Sequence, residues 1–135
     1  MKKITNILYW FAMIGLLFWF AYSKGWIFTN FQSLDAKSAL SLLNNNENNI
    51  TLLDVRTIQE FKDGHLEGAT LIPLQVLNKK LDMLKTSKNK KIVVYCRSGN
   101  RSVSAARILE KNGFNPINVK GGIIQLIAEG ANVIK

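Results

Sequence analysis

Hydrophobic and polar positions divide the chain into two unlike parts. From Ile4 to Ser23, 20 positions, no charged residue occurs. The run Ile7 to Tyr22 is apolar all round a helix, without the polar stripe of a surface helix. At ~1.5 Å rise per residue such a helix is about 30 Å long, the hydrocarbon thickness of a bilayer. Tyr9 and Trp10 stand near one end; Trp19, Tyr22 and Trp26 stand near the other, where amphipathic rings settle among headgroups. The pattern predicts a transmembrane anchor over residues 1–23, meeting lipid through residues 4–23. A cleaved signal peptide is the rival reading, with Lys2 and Lys3 as its charged start and Ala21-Tyr22-Ser23 as its cleavage site. The apolar run exceeds the usual ~7–15 residues of such a peptide and keeps bulky aromatics up to the site, which favours the anchor. Lys2 and Lys3 precede the span and Lys24 alone follows closely, so the domain beyond is expected outside a bacterial cytoplasmic membrane.

After a linker over residues 24–32, the periodicity changes. Ser33 is the expected N-cap, with Asp35 in the first turn, of a helix patterned by Leu34, Ala36, Ala39, Leu40, Leu42 and Leu43. The asparagine-rich stretch Asn44 to Asn49 reads as a solvated loop. Thr51 to Val55 reads as a buried strand, Ile58 to Phe61 as a helical turn, and Gly64 to Ala69 as a loop. Thr70 to Ile72 is a short strand stopped by Pro73. Leu74, Leu77, Leu81 and Leu84 predict an amphipathic helix over 74–85. Ile92 to Tyr95 is a second buried strand, 101–112 a helix closed by Gly113, and 117–119 a third strand. Gly121-Gly122 opens a last helix ending near Gly130. Strands alternating with helices predict an α/β domain over 33–135, with a mostly parallel sheet flanked by helices.

Composition sharpens this division. Ten of the 13 aromatic residues fall within the first 31 positions of the 135. The chain has one cysteine, Cys96, and one histidine, His65. An intrachain disulfide is excluded, as is a Cys/His zinc site, which needs about four ligands. The net charge of +9 suits anionic small molecules, nucleic acid or anionic lipid without choosing among them. Lys79, Lys80, Lys85, Lys88, Lys90 and Lys91 form a basic run that reads first as a solvated face and second as a contact for anionic lipid.

The strongest chemical signal is Tyr95-Cys96-Arg97-Ser98-Gly99-Asn100-Arg101-Ser102. It places the only thiol where a strand ends and a helix is about to begin. In parallel α/β sheets ligands bind beyond that end of the strands. A glycine-bearing turn lets backbone N–H groups converge, and a helix N-terminus with two nearby arginines favours a thiolate and an anion beside it. Cys96 is thus the candidate nucleophile, with Arg97, Ser98, Gly99, Asn100 and Arg101 as its cradle.

These motifs resemble the rhodanese family over about residues 33–135. Leu52 to Phe61 with Gly64-His65-Leu66-Glu67-Gly68-Ala69 resembles the family's DVR-x-x-x-E-[FY]…GH-[IL]-x-GA block. Residues 95–102 resemble its active-site loop. Gly113-Phe114 and Val119-Lys120-Gly121-Gly122-Ile123 resemble its C-terminal block. The resemblance implies a rhodanese-like fold and sulfur transfer through a Cys96 persulfide. An anionic donor such as thiosulfate would supply the sulfur, and cyanide or a thiol would accept it. Arg97 and Arg101 would attract the donor, with no metal or organic cofactor and no nucleic-acid partner. Four residues separate Cys96 from Arg101. Related phosphatases and arsenate reductases have a loop one residue longer, so they are the less favoured alternative, beside a non-catalytic binding module at the membrane. Asp54 is expected to be a buried acceptor for nearby loop amides, and Arg56 a supporting residue paired with Glu60 at helical i,i+4 spacing. His65 is expected to be structural. Leu126 stands where the family often has an aromatic, which would bear on the pocket rim.

Overall fold

A computed structural model of the protein describes residues 2–24, 31–45 and 49–135. Trp26, most of the expected linker and Asn46 to Asn48 lie outside the described residues. Helix α1 (Lys2–Ser23) is unbroken, with no buried residue, and is long and apolar enough to cross a membrane. Its end meets the domain at Tyr22. The Arg107 guanidinium lies over that ring, 3.7 Å from the centroid, and donates to the Tyr22 carbonyl.

The domain is a sheet of five parallel strands covered on both faces. The strands are β1 (Gln32–Leu34), β2 (Ile50–Asp54), β4 (Thr70–Leu71), β5 (Lys91–Tyr95) and β6 (Asn115–Val119), in spatial order β1-β6-β5-β2-β4. Burial on both faces explains why Ile92-Val93-Val94-Tyr95 is apolar throughout rather than alternating. Val93 and Tyr95 face α2 (Ala36–Asn45) and α5 (Gly122–Ala128), packing with Ala39, Ile123 and Leu126. Ile92 and Val94 face the other way, toward Ala105 and Leu109 of α4 (Asn100–Lys111) and toward Leu77 and Leu84. Strand β5 lies centrally between β2 and β6, so Cys96 emerges from the middle of the sheet.

Three expectations need correction. Asp35, not Ser33, caps α2: its carboxylate accepts from the Ser38 N–H at 2.8 Å. Ser33 instead belongs to β1, opposite Asn118. Residues 74–85 do not form one α-helix. They form two 3-10 helices, Leu74–Lys79 and Leu81–Ser87, parted at Lys80. The leucine pairs 74/77 and 81/84 are each three apart, which suits three residues per turn; the four-residue step from 77 to 81 spans the break. Within the expected Gly64–Ala69 loop, β3 (His65–Leu66) pairs antiparallel with β7 (Val133–Ile134) and fastens the C-terminal tail. Between β2 and β3, α3 (Ile58–Asp63) begins with a capping box: Thr57 Oγ1 accepts from the Glu60 N–H, and the Glu60 carboxylate accepts from the Thr57 N–H, each at 3.2 Å.

Candidate active site

Cys96 sits at the carboxyl end of β5 and is 1% exposed. Its sulfur accepts a hydrogen bond from the Gly99 N–H at 3.0 Å. Gly99 has φ +102°, a left-handed conformation that turns its amide back onto the sulfur and starts α4. The thiol faces the Ser102 hydroxyl at 3.5 Å. Ser102 in turn donates to the Asn118 carboxamide oxygen at 2.6 Å, and the Asn118 amide nitrogen reaches Ser33 Oγ at 3.4 Å. A buried polar relay therefore runs from the thiol across β6 to β1. The sequence reading missed it. Its trace was Asn118, a polar residue between Ile117 and Val119 in a buried strand.

The loop is held from behind by the glycine pair. The Ile123 N–H donates to the Cys96 carbonyl at 2.8 Å, and the Ile124 N–H to the Arg97 carbonyl at 3.3 Å. A Cβ on Gly122 would stand 2.4 Å from the Arg97 carbonyl oxygen and 2.5 Å from that of Cys96. The position is therefore closed to any side chain, and the Gly-Gly signature belongs to the thiol loop although it lies some way along the chain.

The expected cradle residues divide into distinct roles. Gly99 touches the sulfur, while Arg97, Ser98 and Asn100 are exposed around it. Arg101 is not a free cation. Its two terminal nitrogens donate to Glu60 Oε1 at 2.7 Å and Oε2 at 2.9 Å. This bidentate pair holds the Glu60 carboxyl down to about 2, the Arg101 hydrogen bonds being the main cause. The expected Arg56–Glu60 pair does not form. Arg56 instead forks onto Asp54, with Nε at 3.0 Å from both carboxylate oxygens and a terminal nitrogen at 2.7 Å from Oδ2. The reason is local: residue 56 precedes α3, so helical spacing from 56 to 60 does not apply. Asp54 also accepts from the Arg56 N–H at 2.9 Å, as expected of a buried loop acceptor, and Arg56 reaches on to the Gly64 carbonyl at 2.7 Å. The His65 ring stacks on Phe61 with centroids 3.6 Å apart, and Nδ1 lies 2.8 Å from the Phe61 carbonyl oxygen.

Beside the loop opens a cavity of about 340 Å³, lined by Arg56, Glu60, Asp63, Arg97, Ile123, Ile124 and Ile127 among others. Leu126 is fully buried in the core and is not part of this lining, so the rim is set by Ile124 and Ile127 instead. Among the described residues no cluster of three or more His, Cys, Asp or Glu could hold a metal ion.

Comparison with known proteins bears on this geometry. Residues 35–129 match the rhodanese-like domain family. A curated relative, the tRNA uridine(34) hydroxylase of Buchnera aphidicola, is 36% identical over 101 residues, covering 71% of this chain. This chain spans only 32% of that relative's length. A rhodanese-related protein from Thermoplasma volcanium, 35% identical, superposes with a TM-score of 0.67 over 77% of this chain and 98% of its own. A rhodanese-like domain protein from Staphylococcus aureus, 28% identical, superposes with a TM-score of 0.66 over 78% of this chain and all of its own.

Proposed function

This chain belongs to the rhodanese-like domain family, and on that premise we propose that it is a membrane-tethered sulfurtransferase working through a Cys96 persulfide. The observation that carries the reading is the placement of the only thiol. Cys96 ends the central strand, takes the Gly99 N–H at 3.0 Å, and is separated from Arg101 by a short four-residue loop. The hydroxylase name of the curated relative is not carried over, because this chain spans 32% of that protein.

The chemistry runs in two half-reactions. As the thiolate, Cys96 attacks the outer sulfur of a sulfane donor. The donor's S–S bond breaks, and its leaving group departs with the electron pair, as sulfite from thiosulfate or as a thiolate from an organic persulfide. A thiolate or cyanide then attacks the outer sulfur held on Cys96 and restores the thiolate. The Gly99 N–H is already aimed at the sulfur and can stabilise its negative charge in both halves. The Ser102 hydroxyl can turn from Asn118 to donate to it as well. Helix α1 would tether this site to a membrane.

Intact-mass measurement of the full chain in detergent tests the proposal. Treatment with a sulfane donor is expected to add the mass of one sulfur, cyanide to remove it, and Cys96→Ala to gain none. Absence of any gain with both thiosulfate and an organic persulfide overturns the reading. Aryl phosphate hydrolysis lost in Cys96→Ser would replace it with the phosphatase alternative.

A further inference from the structure

We propose that Glu60 sets donor selectivity by withdrawing the Arg101 charge from the site, so that the pocket takes a sulfane donor of low net charge in preference to a dianion. The proposal rests on the sulfurtransferase reading and names the substrate class for the same thiol. The pairing of charges around the loop carries it. Arg101 would be the natural partner of an incoming anion, yet both of its terminal nitrogens already donate to Glu60, at 2.7 and 2.9 Å, and its charge is balanced there. Glu60 is not free to swing away, because the Thr57 N–H and hydroxyl hold the same carboxylate at 3.2 and 3.1 Å. Arg56 is spent in the same manner on Asp54 and the Gly64 carbonyl. Of the charged side chains lining the cavity, that leaves Arg97 with Asp63 as its near-equal opposite. A chain with a net charge of +9 thus carries nearly balanced charge around the cavity beside its thiol loop.

A dianion such as thiosulfate must either enter without Arg101 or compete with a carboxylate for its fork. The competition is between two anions for one planar donor set, and the resident one is already oriented. A small organic persulfide meets neither obstacle. Its carbon skeleton can lie on Ile124 and Ile127, which are 48% and 52% exposed at the rim. The transfer step is unchanged: the thiolate of Cys96 takes the outer sulfur, and the donor leaves as its thiolate.

The test compares the wild-type full chain with Glu60→Gln. Glutamine keeps the capping acceptor for Thr57 and the size of the side chain while removing the charge. The expected result is a rise of about tenfold in kcat/KM for thiosulfate, mostly through KM, as one full charge is returned to the mouth. Transfer from hydroxyethyl persulfide, which is uncharged in its carbon part, is expected to change less, so that the thiosulfate-to-persulfide ratio of kcat/KM rises by about fivefold or more. A second readout needs no sulfur transfer: the ratio of Cys96 alkylation rates with iodoacetate and with iodoacetamide. That ratio is expected to rise several-fold in Glu60→Gln. An unchanged ratio, or equal changes for both donors, overturns the role of Glu60 while leaving the persulfide chemistry standing. No transfer from either donor by either protein overturns the sulfurtransferase reading itself.

Discussion

At the scale of single residues, charge here is organised by partner rather than by exposure. Asp54 is fully buried and Arg56 nearly so, yet each carries the other, and Arg56 reaches on to the Gly64 carbonyl. The pair ties the end of β2 to the turn before β3. Removing one partner of a buried pair strands the other charge and typically costs ~3–5 kcal/mol. Asp54→Asn is therefore expected to lower stability by about that amount in urea or thermal unfolding, while an exposed change such as Lys79→Gln should cost under ~0.5 kcal/mol. Equal stability of both variants would show that Arg56 finds another acceptor. An acid ending an apolar strand made the role of Asp54 readable from sequence. The partner of Arg56 was not readable, because residues 54 and 60 both offered a carboxylate and only the turn geometry decides between them. The same ambiguity hid the Glu60–Arg101 pair, whose members are 41 positions apart.

At the scale of elements, readability followed length and burial. The two central strands and α4 announce themselves through β-branched runs and a closing glycine. Strand β1, with three residues, and the two-residue strands β3 and β7 are too short to show any period. The 3-10 pair was misread for a different reason: leucines three and four apart fit an α-helix as well as two tighter turns. The glycine pair before α5 was readable as a motif but not as a part of the thiol loop, since that depends on two carbonyls meeting it in space. Gly122→Ala tests this contact. Its φ of +59° disfavours a side chain, and the new Cβ would press on the Arg97 and Cys96 carbonyls at 2.4 and 2.5 Å. The expected outcome is loss of most transfer activity with destabilisation of ~2 kcal/mol or more. Gly68→Ala is the control: its φ is also positive, but the added Cβ meets nothing within 4 Å. If both alanines reduce transfer equally, backbone strain alone explains the effect and the support of the loop by α5 does not.

At the scale of the whole molecule, the question is how an unburied apolar helix and a charged α/β domain share one chain. Ten aromatics lie in the first 31 residues, against three in the remainder. The helix shows no buried residue along its 22 positions, which speaks against a role in the core. The helix meets the domain at Tyr22, where Arg107 stacks on the ring. Arg107 lies seven residues into α4, so along that helix the contact is ~10 Å from the end nearest the thiol loop. Under the proposed tether, this contact would hold the domain at the end of the membrane-crossing helix. The expected behaviour follows from this arrangement. The full chain should stay with membranes through carbonate and high-salt washing, and a chain shortened to begin at Phe31 should not. Release of the full chain by salt alone would mean that α1 lies on the surface rather than across it. Recovery of a mature form beginning at Lys24 would mean that the segment is a cleaved signal, and that the donor preference argued from Glu60 must then operate free of any bilayer.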